Sequence, residues 1–393
     1  MRNKDMTLAY VLLQSSYWMS FCVCVCFAVI YLQGIGFSNT KLGILSALGN
    51  LIGMILGPYL AGLTDKDERW LALKLMPYML VLQTLSCAAL LAVMKDQTLS
   101  FIFYVLYMSF CVSFNTLVLK IYSDISYAQM KTDYSLARGL GSLSFVIISA
   151  VLGVLIEKTS VRAVPVAGLI LCVYQYIAYR ITKKQMPEVR YAASEKQSVS
   201  MGEFIRENGS FFLMLCGTAL LFFSHNNITG FLINVVRNAG GDAGTAGFLN
   251  SFMAVMELPF MFFYTKFFGR MDQKKILAAS FLFFSIKELC FALAGSLRGL
   301  YLSFLFQGPS FALYSAAIVP YVEMTVGHQD SGKAQSLAYT MTTLGSVLSS
   351  VFAGRLYDLL SVSSTLWISF VVSLFGTLIA VLAMKGKKRW TKN

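Results

Sequence analysis

Six ionisable residues stand inside stretches that are otherwise almost wholly apolar: Lys120, Asp124, Arg138, Glu257, Lys287 and Glu288. A charge at the centre of a helix in hydrocarbon costs at least about 2.5–3.5 kcal/mol, so each retained charge implies a task. Lys120 and Asp124 are four apart and share one helix face. Arg138 stands at a helix start, where a basic residue satisfies the positive-inside preference. Glu257 and Lys287, with neighbouring Glu288, are the candidates for proton coupling. An apolar setting favours the neutral acid and a nearby cation favours the carboxylate, so a Glu257–Lys287 pair can take up and release a proton; a structural interhelical ion pair is the alternative.

Uncharged polar residues in the same blocks supply donors and acceptors for a small polar solute: Gln14, Tyr17, Tyr31, Asn115, His225, Asn226, Asn227 and Gln307. Singly, such residues more often join helix to helix, but three in a row at His225–Asn227 is unusually polar. His225 ordinarily titrates near neutral pH. Two histidines and scattered cysteines supply neither a nucleophile–base pair nor a metal set, and no glycine-rich loop ends in Gly-Lys-Ser/Thr. The reading is therefore not an enzyme, with no cofactor, no metal and no ATP-driven pumping by this chain.

The elements that must position these residues are membrane helices. Hydrophobic residues make up 57% of the chain and charged ones 13%, against roughly a quarter charged in soluble domains. The apolar blocks run about 20–25 residues, enough to cross a hydrocarbon core of about 30 Å. Twelve spans are predicted at 8–33, 42–63, 71–94, 99–123, 139–157, 163–182, 209–233, 244–266, 275–296, 299–323, 335–356 and 363–384. Strands are excluded because each block is twice what a barrel strand needs.

The 32 Lys and Arg outnumber the 19 Asp and Glu, and most of them sit at the two ends and in the even-numbered loops, so both termini are expected to be cytoplasmic. The charges form no continuous basic face, which sets nucleic-acid binding aside. The first apolar run is too long for a signal peptide and is expected to remain as the first helix. The eight cysteines, among them Cys22, Cys24 and Cys26, read as buried inert thiols.

The chain divides into an N-terminal six-helix half (1–182), a polar cytoplasmic linker (183–208) in which 201–206 is a candidate short interfacial helix, and a C-terminal six-helix half with a basic tail (209–393). Leu140-Gly141-Ser142 recurs as Leu344-Gly345-Ser346, and Pro58 recurs as Pro259, each near half a chain length apart, as an internal duplication predicts. Small residues at four-residue spacing, Gly49, Gly53, Gly57 and Ala61 and again Gly345, Ser349 and Ala353, mark close helix approach and faces on which halves can slide.

The stretch Gly57-Pro58-Tyr59-Leu60-Ala61-Gly62-Leu63-Thr64-Asp65-Lys66, followed by Asp67, Glu68 and Arg69, resembles the loop motif of the major facilitator superfamily, with Glu68-Arg69 in place of the usual Gly-Arg pair. Four further stretches resemble the branch holding lactose permease and proton symporters of nucleosides and aromatic acids: Tyr31–Phe37, Arg138–Ser142, Glu257–Pro259 and Ala353–Asp358.

The resemblance implies a twelve-helix, all-α fold in two pseudo-symmetric bundles, and secondary transport of a sugar, nucleoside or small organic acid by alternating access with proton coupling. It implies a cytoplasmic gating role for Gly57, Asp65, Lys66 and Arg69, and a solute-holding role for Arg138. Lys120 stands where the permease has an acid, which leaves Asp124 as a substitute partner for Arg138 or, alternatively, Lys120 and Arg138 together as a site for an anionic substrate. Gln307, Ser310 and Thr342 replace proton-handling groups, which leaves different coupling machinery, a uniporter or another coupling ion; a transporter-like receptor is a separate alternative. The solute-contact candidates are Tyr17, Asn115, Lys120, Asp124, Arg138, Asn226, Asn227 and Gln307. Small-molecule substrate, protons and membrane lipid are the expected partners of a monomer in the cell membrane.

Overall fold

The computed structural model describes residues 5–64, 71–186, 201–326 and 331–385, and these are helical apart from short connections and one isolated bridge between Asp5 and Lys131. The first span runs Thr7–Phe21, passes through a π-helical turn at Cys22–Cys26 and ends as Ala28–Gly34. Spans two to six are Asn39–Thr64, Leu71–Ala92, Gln97–Tyr127, Tyr134–Lys158 and Ala163–Gln185. A short helix, Met201–Glu207, precedes the seventh span, which is Gly209–Thr229 and then Leu232–Asn238. Ala243–Phe267 and Gln273–Leu293 are the eighth and ninth. The tenth combines Leu297–Phe304, a second π turn Gly308–Ala312 and Leu313–Val326; Ser331–Leu359 and Val362–Lys385 complete the set.

Among the described residues eleven helices are long and apolar enough to cross a membrane. The eleventh span is the exception. At 29 residues it is long enough, but its Ser, Thr and Gly content dilutes its hydropathy. Those small residues have a packing reason, since Gly345 sits against the Ala219 carbonyl and Gly354 against the Asn39 carbonyl. Bulkier residues would prevent both approaches. Leu85, Ile147, Ile170, Leu293, Leu302 and Leu378 all point outward and exposed, an apolar exterior that suits lipid and not water.

Side-chain caps start several spans. Asp133, Asp242, Asp272 and Ser296 accept backbone N–H groups of Leu136, Thr245, Lys274 and Gly299, satisfying donors that a helix start leaves open.

The packing repeats with an offset of six spans. The first span packs on the fifth as the seventh packs on the eleventh, and the second packs on the fourth as the eighth packs on the tenth. Between the halves, the second span meets the eleventh through Gly43, Ser350 and Gly354. The equivalent contact joins the eighth to the fifth, through Gly247 and Gly153, where a Cβ on Gly153 would lie 3.0 Å from the Gly247 Cα. The expected glycine stripe of the second span behaves differently. Gly49, Gly53 and Gly57 face Met108, Val112 and Thr116 of the fourth span, so this stripe holds one half together and is not a sliding face between halves.

Candidate solute and coupling site

The charged residues of the C-terminal half converge on one buried chain of hydrogen bonds. Lys287 Nζ lies 2.9 Å from His225 Nδ1 and donates to Gln307 Oε1 at 3.1 Å. Gln307 Nε2 in turn donates to Glu257 Oε1 at 2.9 Å. Four spans meet here, the seventh, eighth, ninth and tenth. The direct Glu257–Lys287 pair expected from the sequence is not formed; the Gln307 amide stands between them, offering its carbonyl to the ammonium and its N–H to the carboxylate. Gln307 therefore serves as a bridge between two charged groups, and its position next to the π turn at Gly308–Ala312 comes from the break in the tenth span. Glu288 lies on the other side of Lys287, with Oε1 at 3.7 Å, and is fully buried.

Across the interface between halves the fifth span presents Arg138. Its guanidinium lies 4.0 Å over the Trp18 ring and Nη1 donates to Ser142 Oγ at 2.6 Å. Trp18 is held in turn, since Nε1 donates to Gln14 Oε1 and Gln14 Nε2 donates to Tyr10 OH at 2.8 Å. Residues 10, 14 and 18 are spaced by four, so one face of the first span carries the whole support. Arg138 and Glu257 stand on the fifth and eighth spans, which pack on one another across the interface. A cavity of about 180 Å³ lies beside them, lined by Tyr134, Arg138, Gly139, Ser142, Leu258, Met261 and Phe262. That is below the roughly 300 Å³ at which ligand pockets begin, so it is one wall region of a site and not a complete enclosure.

The remaining sequence candidates are placed as follows. Tyr17 is buried with its ring edge-on to Trp18 at 5.2 Å. Asn115 is half-buried on the fourth span. Lys120 pairs with Asp124 at 3.5 Å, and Asp124 is buried. Asn226 donates to the Phe222 carbonyl and to Ser346 Oγ and stays half-buried. Asn227 is fully buried and donates to Ser369 Oγ at 2.6 Å, which fastens the seventh span to the twelfth and turns this side chain away from the interface between halves. Tyr31 likewise donates to the Leu90 carbonyl inside the N-terminal half. Gly57 packs on Thr116, whereas Asp65, Lys66 and Arg69 lie outside the described residues. Among the described residues no group of three or more His, Cys, Asp or Glu is arranged to hold a metal ion.

Trp18 was not among the sequence candidates, because an aromatic in an apolar block is indistinguishable from a lipid-facing one; its one signal is Gln14 a turn earlier. A second cluster was equally silent. At the end opposite the termini, Gln33 Nε2 donates to Asn39 Oδ1 and Asn234 Oδ1, Arg237 Nη1 donates to Gln33 Oε1 at 2.6 Å, and Asp358 accepts from Asn39 and Thr40. These bonds tie the first, second, seventh and eleventh spans together across both halves, so that end is closed. The Tyr31–Phe37 and Ala353–Asp358 stretches both contribute to it.

Eleven apolar helices of membrane-spanning length and a further helix of 29 residues among the described residues, packed in two repeated bundles, define a multi-pass membrane transporter of the major facilitator type. The solved structures with this fold include the nucleoside transporter NupG (TM-score 0.75, 16% identity, covering 97% of this chain and 100% of that one). An auto-inhibited POT family peptide transporter also superposes (TM-score 0.78, 11% identity, 98% of both chains), as does a bacterial homologue of the human lysosomal transporter Spinster in an inward-facing, unoccupied conformation (TM-score 0.69, 13% identity, 96% of both). A comparison with curated protein sequences finds no match. The chain belongs to the MFS_1 like family, whose model matches residues 10–368.

Proposed function

We propose that this protein is a proton-coupled secondary transporter of a small polar organic solute, a sugar, nucleoside or small organic acid, working as a monomer by alternating access in the cell membrane with both termini cytoplasmic. The observation that carries the proposal is the Glu257–Gln307–Lys287 chain, with Arg138 across the interface between halves. Arg138 with Trp18 supplies a donor fork and an aromatic face for a ring-bearing solute. Glu257 is the proton-carrying group, and its occupancy is linked through Gln307 to Lys287, with Glu288 as a second acid on the same cation. In this reading the bonds at the end opposite the termini close the outer side. The nucleoside transporter NupG has the same fold, which supports starting the solute search with nucleosides.

One observation favours uniport instead. Gln307 cannot itself take up a proton, so the chain is not an unbroken set of titratable groups. The deciding experiment screens sugars, nucleosides and small organic acids for thermal stabilisation of the purified protein, then measures uptake of any hit into proteoliposomes with and without an inward proton gradient. Gradient-driven accumulation that disappears in Glu257→Gln, with counter-flow exchange retained, is the expected result. Equal uptake with and without the gradient would establish a uniporter, and binding without uptake a receptor.

A further inference from the structure

We infer that the outer face of the C-terminal half carries a binding groove for one acyl chain of an anionic phospholipid, with a basic rim for its headgroup. The groove is a cavity of about 540 Å³ where the eighth, ninth and tenth spans meet, and Phe260, Phe268, Phe283, Pro309 and Leu313 line it. Its volume falls within the roughly 300–1,000 Å³ of ligand sites, and its walls present apolar atoms, which suits an alkyl chain and no polar solute. The same cavity is bounded by Lys275, which is exposed, at the start of the ninth span.

Lys275 is not alone. Lys266 in the last turn of the eighth span, Arg270 in the connection and Lys274 in the first turn of the ninth are also exposed. A cation at the mouth of an apolar groove, with three more close by in the chain against the single acid Asp272, matches a phosphate headgroup above an acyl chain. A positive-inside loop explains the charges but not the hollow beneath them, whereas a bound phospholipid accounts for both.

The groove also touches the coupling chain. Phe260 packs on Gly308 at the π turn, next to Gln307, so an occupant braces the segment that carries the bridge between Glu257 and Lys287.

The test uses the full-length protein, stripped of lipid in detergent and titrated with phosphatidylglycerol or phosphatidylcholine of identical chains, with bound lipid counted by native mass spectrometry. Phosphatidylglycerol is expected to bind more tightly, and Lys274→Gln and Lys275→Gln should each weaken it about fivefold while leaving phosphatidylcholine unchanged. Ala279→Phe, which fills the groove from the ninth span, should weaken both lipids, and an unchanged gel-filtration profile shows that each variant is folded. Equal binding of the two lipids by the unaltered protein would overturn the proposal. So would displacement of phosphatidylglycerol by inorganic phosphate alone, or binding indifferent to Ala279→Phe in folded protein.

Discussion

Replacing Gly247 by alanine should unlock the closed end of the molecule. A Cβ at this position would lie 2.5 Å from the Ser149 carbonyl oxygen and 3.0 Å from the Gly153 Cα, both backbone atoms of the fifth span in the other half. No rotamer change relieves a clash with backbone. Moving from 2.5 Å to the 3.4 Å of ordinary contact requires the two spans to part by roughly 0.9 Å, which also stretches the 3.0 Å bond from Ser149 Oγ to the Gly247 carbonyl. Overpacking of this kind costs about 1–3 kcal/mol, but only in the conformation where the halves touch here. The ratio of open to closed forms at this end should therefore rise about 5- to 160-fold.

The assay is pulsed electron paramagnetic resonance between nitroxides at Lys158→Cys and Asn238→Cys, two exposed positions on opposite halves at this end, with the half-buried Cys26, Cys216 and Cys290 replaced. Longer distances should gain population in Gly247→Ala. Gly49→Ala is the control, because its Cβ meets the flexible Met108 side chain within one half. An unchanged distance distribution in Gly247→Ala, or the same shift in the control, would refute the assignment of the fifth and eighth spans as a moving contact.

Three further outcomes are expected. Arg138→Lys keeps the charge but loses the planar fork over Trp18, so solute affinity should fall roughly tenfold while protein yield and unfolding temperature hold; unchanged affinity in a binding titration would return Arg138 to a topological role. Gln307→Leu leaves the Glu257 carboxylate and the Lys287 ammonium without their shared partner, and thermal unfolding should show a loss of about 1–3 kcal/mol together with lost coupling. Asp242→Ala removes the cap of the eighth span and should destabilise by about 0.5–2 kcal/mol in denaturant titrations. Backbone and side-chain hydrogen bonds from Thr245 hold Asp242 below the usual carboxylate value. Its contribution is therefore present above about pH 4 and lost as pH falls through the lowered native value, an acid-side loss that the alanine variant should lack.

Composition and block length alone settle that the chain is a bundle of membrane helices, because the transfer of an apolar block into lipid is a local property that no distant residue can reverse. The same logic exposed Arg138, Glu257, Lys287 and Glu288, since a charge in hydrocarbon is conspicuous wherever it folds. The partners of those charges were not legible. Gln307 lies 20 residues from Lys287 and 50 from Glu257, and only the break in the tenth span at its π turn sets its amide between them. Trp18 became visible as a support for Arg138 only once the first and fifth spans were packed.

The glycines divide in the same way. The run Gly49, Gly53 and Gly57 announces close packing from its spacing, but nothing in that spacing says that its partner is the fourth span of the same half. The contacts that join the halves, Gly43 with Gly354 and Gly153 with Gly247, also lie on small residues at four-residue spacing, Ser346, Ser350 and Gly354 or Ala243, Gly247 and Ser251, but the spacing does not name the distant helix that crosses there. Hydrophobicity and the energetic penalty on charge are carried by each residue and survive in the sequence by itself. Which residue faces which is a property of helix crossings between segments as much as 319 residues apart, as for Asn39 and Asp358, and that the tertiary structure alone decides.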